Sequence, residues 1–522
     1  MTKYLLVIIA AFIIIDTSSG QEYYGKMPGQ KLDWVFYYLE QNYVDTIDNN
    51  RLADLAIQRI VKELDPFSSY QTKAEADAQL NKDNGVSAPG TGLLFYMINK
   101  TTPVITYVNR DGPAEKAGLK RGYSINSING EKTEGKNFNQ ITAMLNDTSF
   151  IELPIVYSDH NKQTYTTTIV KEYMPWFSVL SNYMINDVTG YIKLKSFTKN
   201  TLEECNNAID ILNSQGMQNL ILDLRGNAGG VKEQSIALAD EFLAKGKLIN
   251  SSEGHNAADE EHYSTDKGQF LDGKLICLTD NYTASASEIF LSAIQEWDRG
   301  LLLGFPTYGK GLVQQSYKLG DGSTIRLTVG RYYTPTHRNI QKSPDDNWFQ
   351  ELGITIPNGT AMHTLNLADS KFSQTKSQRK IMTGTGGIYP DIYYVHVPEN
   401  RIALDRYNTG GYIYDFTTHF IHQNRYMLLS KYGNADQFRK DERYMVELGN
   451  NFKSYLVQNG FDEANDPDFG VPRNILDLIR SWTASQLWDD NAYYQLTNVT
   501  DQTILKALEI LDDGTYDRII RN

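Results

Sequence analysis

Between residues 186 and 340 short apolar runs alternate with helical stretches, and no other feature of the chain restricts its fold as much. Gly190-Tyr-Ile-Lys-Leu194, Leu220-Ile-Leu-Asp-Leu224, Leu275-Ile-Cys-Leu278 and Leu301-Leu-Leu-Gly304 read as strands. Helices are expected near 201–214, 231–244 and 285–299. This order predicts α/β layering around a mainly parallel sheet.

The flanks have a different character. Residues 21–88 carry helical spacing: Leu32, Val35, Phe36 and Leu39 recur every three or four positions, as do Leu52, Leu55, Ala56, Ile60 and Leu64. Leu64-Asp-Pro-Phe-Ser-Ser-Tyr70 stops the second run at Pro66. Residues 89–172 hold short β runs, including Val104-Ile-Thr-Tyr-Val108 and Ser124-Ile-Asn-Ser-Ile-Asn-Gly130, around a small helix at Pro113–Leu119. They form a compact β-rich module. The α/β core then covers 173–398, with the polar stretch 342–383 read as an insertion. Residues 399–522 are helical again, with Ile475, Ile479 and Trp482 following Asn474, and Ile504, Leu505, Leu508 and Leu511 following Asp501.

Lys3, the apolar run Leu5–Ile15 and Thr17-Ser-Ser-Gly20 have the pattern of a secretory signal peptide over residues 1–20. Its 11 apolar residues fall short of the roughly 20 a membrane helix needs. The expected location is periplasmic or extracellular, with membrane attachment only where the signal stays uncleaved. Cys205 and Cys277 are the only cysteines and read as independent buried thiols. With 50 Lys and Arg against 63 Asp and Glu, the net charge is −13 and no basic block stands out, which argues against nucleic-acid and anionic-membrane partners. No paired CxxC exists and the histidines are scattered, so no metal site is expected.

Three loops of the α/β region are rich in small residues. Asp223-Leu-Arg-Gly-Asn-Ala-Gly-Gly230 joins a strand to a helix, and its glycines let consecutive N–H groups converge on an anion or oxyanion; a plain tight turn is the alternative. Asn281-Tyr-Thr-Ala-Ser-Ala-Ser-Glu-Ile-Phe290 places Ser285 and Ser287 at a helix start, where Ser287, followed by Glu288, has the stronger claim to a capping role. The residues alone pick no nucleophile. Gly304-Phe-Pro-Thr-Tyr-Gly-Lys-Gly311 nearly matches a phosphate-binding loop, but Gly311 replaces the required Ser or Thr and Leu312-Val-Gln-Gln-Ser-Tyr317 reads as strand. Nucleotide binding is not expected, and Lys310 needs another role.

Together these loops resemble the C-terminal processing peptidases, or tail-specific proteases, which are serine enzymes with a lysine base. The likeness runs from roughly residue 30 to 395. It includes Tyr43-Val-Asp45, Leu64-Asp-Pro-Phe-Ser-Ser-Tyr70, Gly112-Pro-Ala-Glu-Lys-Ala-Gly-Leu119 with Ile128-Asn-Gly130, and the three loops. Tyr308-Gly-Lys-Gly-Leu-Val-Gln314, Tyr333-Thr-Pro335 and Gly386-Gly-Ile-Tyr-Pro-Asp391 complete it. The resemblance implies a multidomain α/β protein: a peptidase core, an inserted PDZ-like domain over 89–172, and helical N- and C-terminal segments. It implies Ser285 as nucleophile, Lys310 as general base and Gln314 as the residue orienting the lysine. Ala286 and Gly229 are the implied backbone oxyanion donors, with Gly226 the competitor to Gly229. Glu296 falls where some relatives carry aspartate. Thr91, Gly92, Leu93 and Leu94 are the implied carboxylate loop of the PDZ-like module; Gly122-Tyr123 departs from the Gly-Asp that many relatives have there.

The implied activity is that of an exported serine endopeptidase that engages polypeptide C-terminal tails and cleaves near them, without cofactor, metal or nucleotide. A catalytically silent peptide-binding protein on the same scaffold is the alternative. Oligomeric state is left open, homo-oligomers included. The chemistry makes one demand: Lys310 must be neutral to take a serine proton, which asks burial to lower a free-lysine value near 10.4 by roughly three units. Phe305, Tyr308 and Leu312 are the apolar neighbours expected to help.

Overall fold

The computed structural model describes residues 28–255, 259–266, 268–343, 371–384, 386–394, 407, 410–461 and 470–521. The expected signal peptide at 1–20, and residues 344–370 of the expected insertion, lie outside the described residues. The described residues form two compact units, one of residues 28–72 with 316–327 and one of those within 73–315 and 328–521.

In the first unit, helices Pro28–Asn42 and Asn49–Lys62 precede a short strand, Ser69–Gln71, which pairs antiparallel with Thr324, Ile325 and Arg326. Asp48 caps the second helix by accepting from Arg51 N at 3.0 Å. Asp65 accepts from the amides of Phe67 and Ser68, fixing the turn beyond Leu64. The helical spacing around Leu32 and Val35 predicts a buried face, yet Pro28–Asn42 buries no residue.

In the second unit, helix Lys73–Asp83 leads into Val86–Gly90, which pairs antiparallel with Glu172–Pro175. This two-stranded neck carries the β-rich module. Its antiparallel sheet runs Leu93–Ile98, Thr102–Val108, Ser124–Ile128, Glu152–Ser158, Thr164–Val170, with Leu93–Ile98 at one edge. Helix Phe138–Asn146 is held by reciprocal Asn137 and Gln140 caps and closes a core that includes Ile105, Ile125, Ile141 and Ile155.

The central sheet has six strands in chain order: Val179–Met184, Thr189–Leu194, Asn219–Asp223, Lys274–Thr279, Leu301–Gly304 and Ile392–Tyr393. The first pair is antiparallel and every later pair parallel. Helices Thr201–Ser214, Lys232–Asp240 and Ala286–Glu296 supply the crossovers. Leu220, Leu222, Leu275, Cys277 and Leu302 pack on that helical side. Tyr191, Ile221, Ile276, Leu278, Leu301 and Leu303 point the other way, onto Ile504, Ala507, Ile510 and Leu511 of helix Gln502–Asp512. Covering on both faces explains why these strands are apolar at consecutive positions. Cys205 and Cys277 are buried free thiols.

Helices Tyr412–Lys431, Ala435–Lys440, Glu442–Gln458, Arg473–Leu487 and Asp490–Thr497 enclose a separate core with Phe416, Leu428, Phe438 and Phe452. Residues 371–383 contain a hairpin, Lys371–Gln374 with Lys380–Thr383, where Arg379 pairs at 2.6 Å with both Asp298 and Asp391. Among the described residues no helix is long and apolar enough to cross a membrane.

Candidate active site

Asn219–Asp223, Lys274–Thr279 and Leu301–Gly304 are neighbouring parallel strands, so the loops that follow them emerge side by side at their carboxyl ends. These are the three loops singled out in the sequence. They are stitched together by backbone bonds: Ala284 N donates to Asn227 O at 3.0 Å, and Tyr308 N to Thr283 O at 2.9 Å. Asp280 Oδ1 accepts from Gly226 N and Thr283 N, each at 3.0 Å.

Ser285 sits where the second loop turns into helix Ala286–Glu296, at φ +59° and ψ −117°. A non-glycine residue at this φ is strained and is held there only by surrounding structure. The helix begins at Ala286, which makes Ser285 the N-cap position and corrects the expectation that Ser287 caps. Ser287 lies inside the first turn, and its hydroxyl crosses instead to Asn227 O at 3.0 Å. Ala286 occupies the first helical position, whose N–H has no intrahelical acceptor.

Lys310 follows the strand Leu301–Gly304, and its Nζ donates to Gln314 Oε1 at 2.8 Å. Gln314 lies on Leu312–Lys318, a strand, so the helix that a phosphate loop requires is not there. Lys310 and Ser285 are both half-buried, while Tyr308 leaves 48% of its surface exposed and shields less than expected.

Two side chains that sequence reasoning did not select join the serine and lysine loops. Glu288, fully buried, accepts from Ser285 N at 2.7 Å and Lys310 N at 2.9 Å through Oε2. Its Oε1 accepts from Gly309 N at 2.7 Å and Thr307 Oγ1 at 2.5 Å. Burial pushes the Glu288 carboxyl up from its ordinary value, and these four donors oppose the shift. The second is Tyr332, placed by pairing with Ser252 in an antiparallel sheet with Leu248–Gly254. Its hydroxyl reaches Ser285 O at 3.1 Å and also Lys310 O. Burial, reinforced by the Glu288 charge, raises this phenol well above its usual value, so it remains a donor. Ser285-x-x-Glu288 has the spacing of a capping box, the one available signal for Glu288. Nothing near Tyr332 in sequence gives its role away.

Gly229 has φ +90°, and a Cβ there would fall 2.6 Å from Ala284 O, 2.8 Å from Ala286 N and 3.0 Å from Ser285 Cβ. Gly226 is turned elsewhere, its N–H held by Asp280 and its nearest such neighbour Lys195 Nζ at 3.8 Å. Gly229 is thus the glycine lying against the serine; its own N–H donates to Asn227 Oδ1 at 2.9 Å. Glu296 is fully buried and accepts from Arg338 Nε and Thr336 N, both at 2.7 Å, so it secures the turn at 334–339.

Thr91, Gly92, Leu93 and Leu94 lie in the β-rich module rather than in the three-loop cluster. Thr91 is buried and its carbonyl accepts from Ala114 N at 2.9 Å; Gly92, at φ +72°, accepts from Asn109 N at 2.7 Å. Leu93 and Leu94 open the edge strand, and Phe95 on that strand meets Phe138 of the module's helix with ring centroids 5.0 Å apart. At the Gly122-Tyr123 departure, Tyr123 stacks on Tyr157, and Gly122 leaves just enough room for the Arg425 side chain.

Residues 188–347 match the model of peptidase family S41. The carboxy-terminal processing protease CtpA of Bacillus subtilis is 31% identical over 62% of this chain and 67% of its own. The carboxy-terminal-processing protease of Bartonella bacilliformis is 29% identical over 63% and 75%. Among solved structures, the photosystem II D1 C-terminal processing protease overlaps 62% of this chain and 87% of its own, at 25% identity and a TM-score of 0.35. The chain is therefore a member of peptidase family S41, grouped with the carboxy-terminal processing proteases.

Proposed function

We propose that this protein is an exported serine endopeptidase that cleaves polypeptides near their C-termini, with Ser285 as nucleophile and Lys310 as general base. The observation that carries the reading is the double bridge between the two residues: Glu288 Oε2 takes both of their amides and the Tyr332 hydroxyl faces both of their carbonyls. A serine and a lysine from separate loops have no structural need for such shared anchoring, whereas proton transfer demands it.

In the proposed cycle neutral Lys310 Nζ takes the proton of Ser285 Oγ as that oxygen attacks the scissile carbonyl carbon. The developing oxyanion is held by the N–H groups of Ala286 and Gly229, the latter shared with Asn227 Oδ1. Protonated Lys310 gives its proton to the leaving amine, and water then releases the acyl group from Ser285. Gln314 directs the amine while adding no charge, where a carboxylate would favour the ammonium form.

The β-rich module is read as PDZ-like. An extended substrate tail would add to the Leu93–Ile98 edge, with its terminal carboxylate met by the N–H groups of the Thr91–Leu94 turn. The expected signal peptide would take the protein out of the cytoplasm, where unfolded or tail-marked polypeptides are its substrates.

The deciding experiment measures hydrolysis of an unfolded polypeptide by wild type, Ser285→Ala and Lys310→Ala. Both variants should lose activity by several orders of magnitude. Wild-type turnover should rise with pH and level off at an apparent pKa below the roughly 10.4 of free lysine. Equal proteolysis by all three proteins would refute the assignment.

A further inference from the structure

The first loop of the site is braced by a residue from the far end of the chain. Arg225 uses its whole guanidinium: Nε donates to Asp223 Oδ1 at 3.0 Å, Nη2 to Asp223 Oδ2 at 2.7 Å and Nη1 to Asp501 Oδ2 at 2.8 Å. Its backbone is committed as well, the N–H to Asp223 Oδ1 at 2.9 Å and the carbonyl to Lys193 Nζ at 2.6 Å. Beyond it, Gly226 is tied to Asp280 and Asn227 to Ala284, and the loop then delivers Gly229 against Ser285. Asp501 meanwhile caps helix Gln502–Asp512, its Oδ1 accepting from Thr503 N at 2.8 Å and Ile504 N at 3.2 Å.

We propose that Asp501 is a positioning residue for the peptidase site, acting through Arg225 on the loop that carries Gly229. The C-terminal helices are in this sense part of the catalytic apparatus. This rests on the peptidase reading above. Charge balance supplies the reason. Lys193 and Arg225 face Asp223 and Asp501, two cations and two carboxylates, with Asp223 also accepting from Tyr191 Oη at 2.9 Å. Without Asp501, two cations share one buried carboxylate. A guanidinium left with an unpaired edge in a confined setting seeks water or another partner, and the loop attached to it moves. Displacement of Gly229 by even about 1 Å would cost the oxyanion its aligned donor.

Asp501→Asn separates this role from simple capping, because asparagine caps a helix as well as aspartate does but carries no charge for Arg225. The expected result is a folded protein with a modestly lowered melting temperature, kcat lowered about 10- to 100-fold and KM unchanged. Asp501→Glu keeps the charge while weakening the cap, so it should recover most of kcat at a lower melting temperature. Asp517→Asn, which removes the 2.9 Å pair with Lys274, touches the following helix Thr515–Ile520, away from the loop, and should leave kcat unchanged. Amide hydrogen exchange at Gly226–Gly230, which needs no turnover, should quicken in Asp501→Asn. Faster exchange in a protein whose wild type cleaves nothing would remove the peptidase reading and keep the bracing. Wild-type kcat and wild-type exchange in Asp501→Asn would overturn the proposal.

Discussion

At the scale of single residues, the site depends on groups whose chemistry is silent. Glu288 performs no reaction in the proposed cycle, yet it fixes the amides of Ser285 and Lys310 on one oxygen and the Gly309 amide and Thr307 hydroxyl on the other. Glu288→Gln preserves size and replaces one acceptor oxygen with an NH2 group. That group then faces N–H donors in a fully buried position, at a cost of about 1–3 kcal/mol for each buried group left unpaired. Glu288→Gln should therefore melt several degrees lower and lose kcat far more than KM, measured by peptide turnover and calorimetry. An unchanged kcat would show that the serine and lysine hold their positions without the carboxylate. The residues proposed to react, and the one proposed to direct the lysine, were easier to read than the residues that hold them. Ser285, Lys310 and Gln314 stand within recognisable motifs, whereas Glu288 looks like an ordinary first-turn carboxylate and Tyr332 like any tyrosine in a strand. Their roles come from loops brought together in space, which a linear pattern does not record.

At the scale of elements, legibility followed local periodicity. The strands ending at Leu194, Asp223, Thr279 and Gly304, and the helices between them, were visible because consecutive apolar residues and turn glycines are local signals. The helix Pro28–Asn42 shows the limit: its spacing predicts a buried stripe, and spacing does not specify what covers the stripe. The edge strand Leu93–Ile98 is a further case, since its place at the sheet margin follows from pairing rather than composition. An edge strand beside helix Phe138–Asn146 suits an added peptide strand. Peptides with a free C-terminal carboxylate should bind the whole protein carrying Ser285→Ala, and the same peptides amidated at the C-terminus should bind at least tenfold more weakly by fluorescence anisotropy. Phe138→Ala should weaken the free-acid peptide by removing the ring that faces Phe95. Equal binding of acid and amide would locate recognition outside the Thr91–Leu94 turn.

At the scale of the molecule, the central sheet is closed on its second face by the last helices of the chain, well outside the region matched to family S41. Ile504, Ile510 and Leu511 are buried there against Tyr191, Ile221, Ile276 and Leu303, and Asn491 accepts from Ser181 Oγ at 2.7 Å and Asn182 N at 3.0 Å on the first strand. Each such aliphatic side chain contributes about 1.5–3 kcal/mol by leaving water, so three of them match a large part of the 5–15 kcal/mol that stabilises a typical domain. Removing residues 502–522 would also expose a row of leucines and isoleucines on the sheet. A chain ending at Asp501 should aggregate or lose its main cooperative unfolding transition, while Ile504→Ala in the full chain should stay folded at a cost of about 2–5 kcal/mol. The pair of variants separates covering from local damage: a soluble truncated chain melting within a few degrees of wild type would mean that the sheet face tolerates water and that the final helices are not needed to cover it.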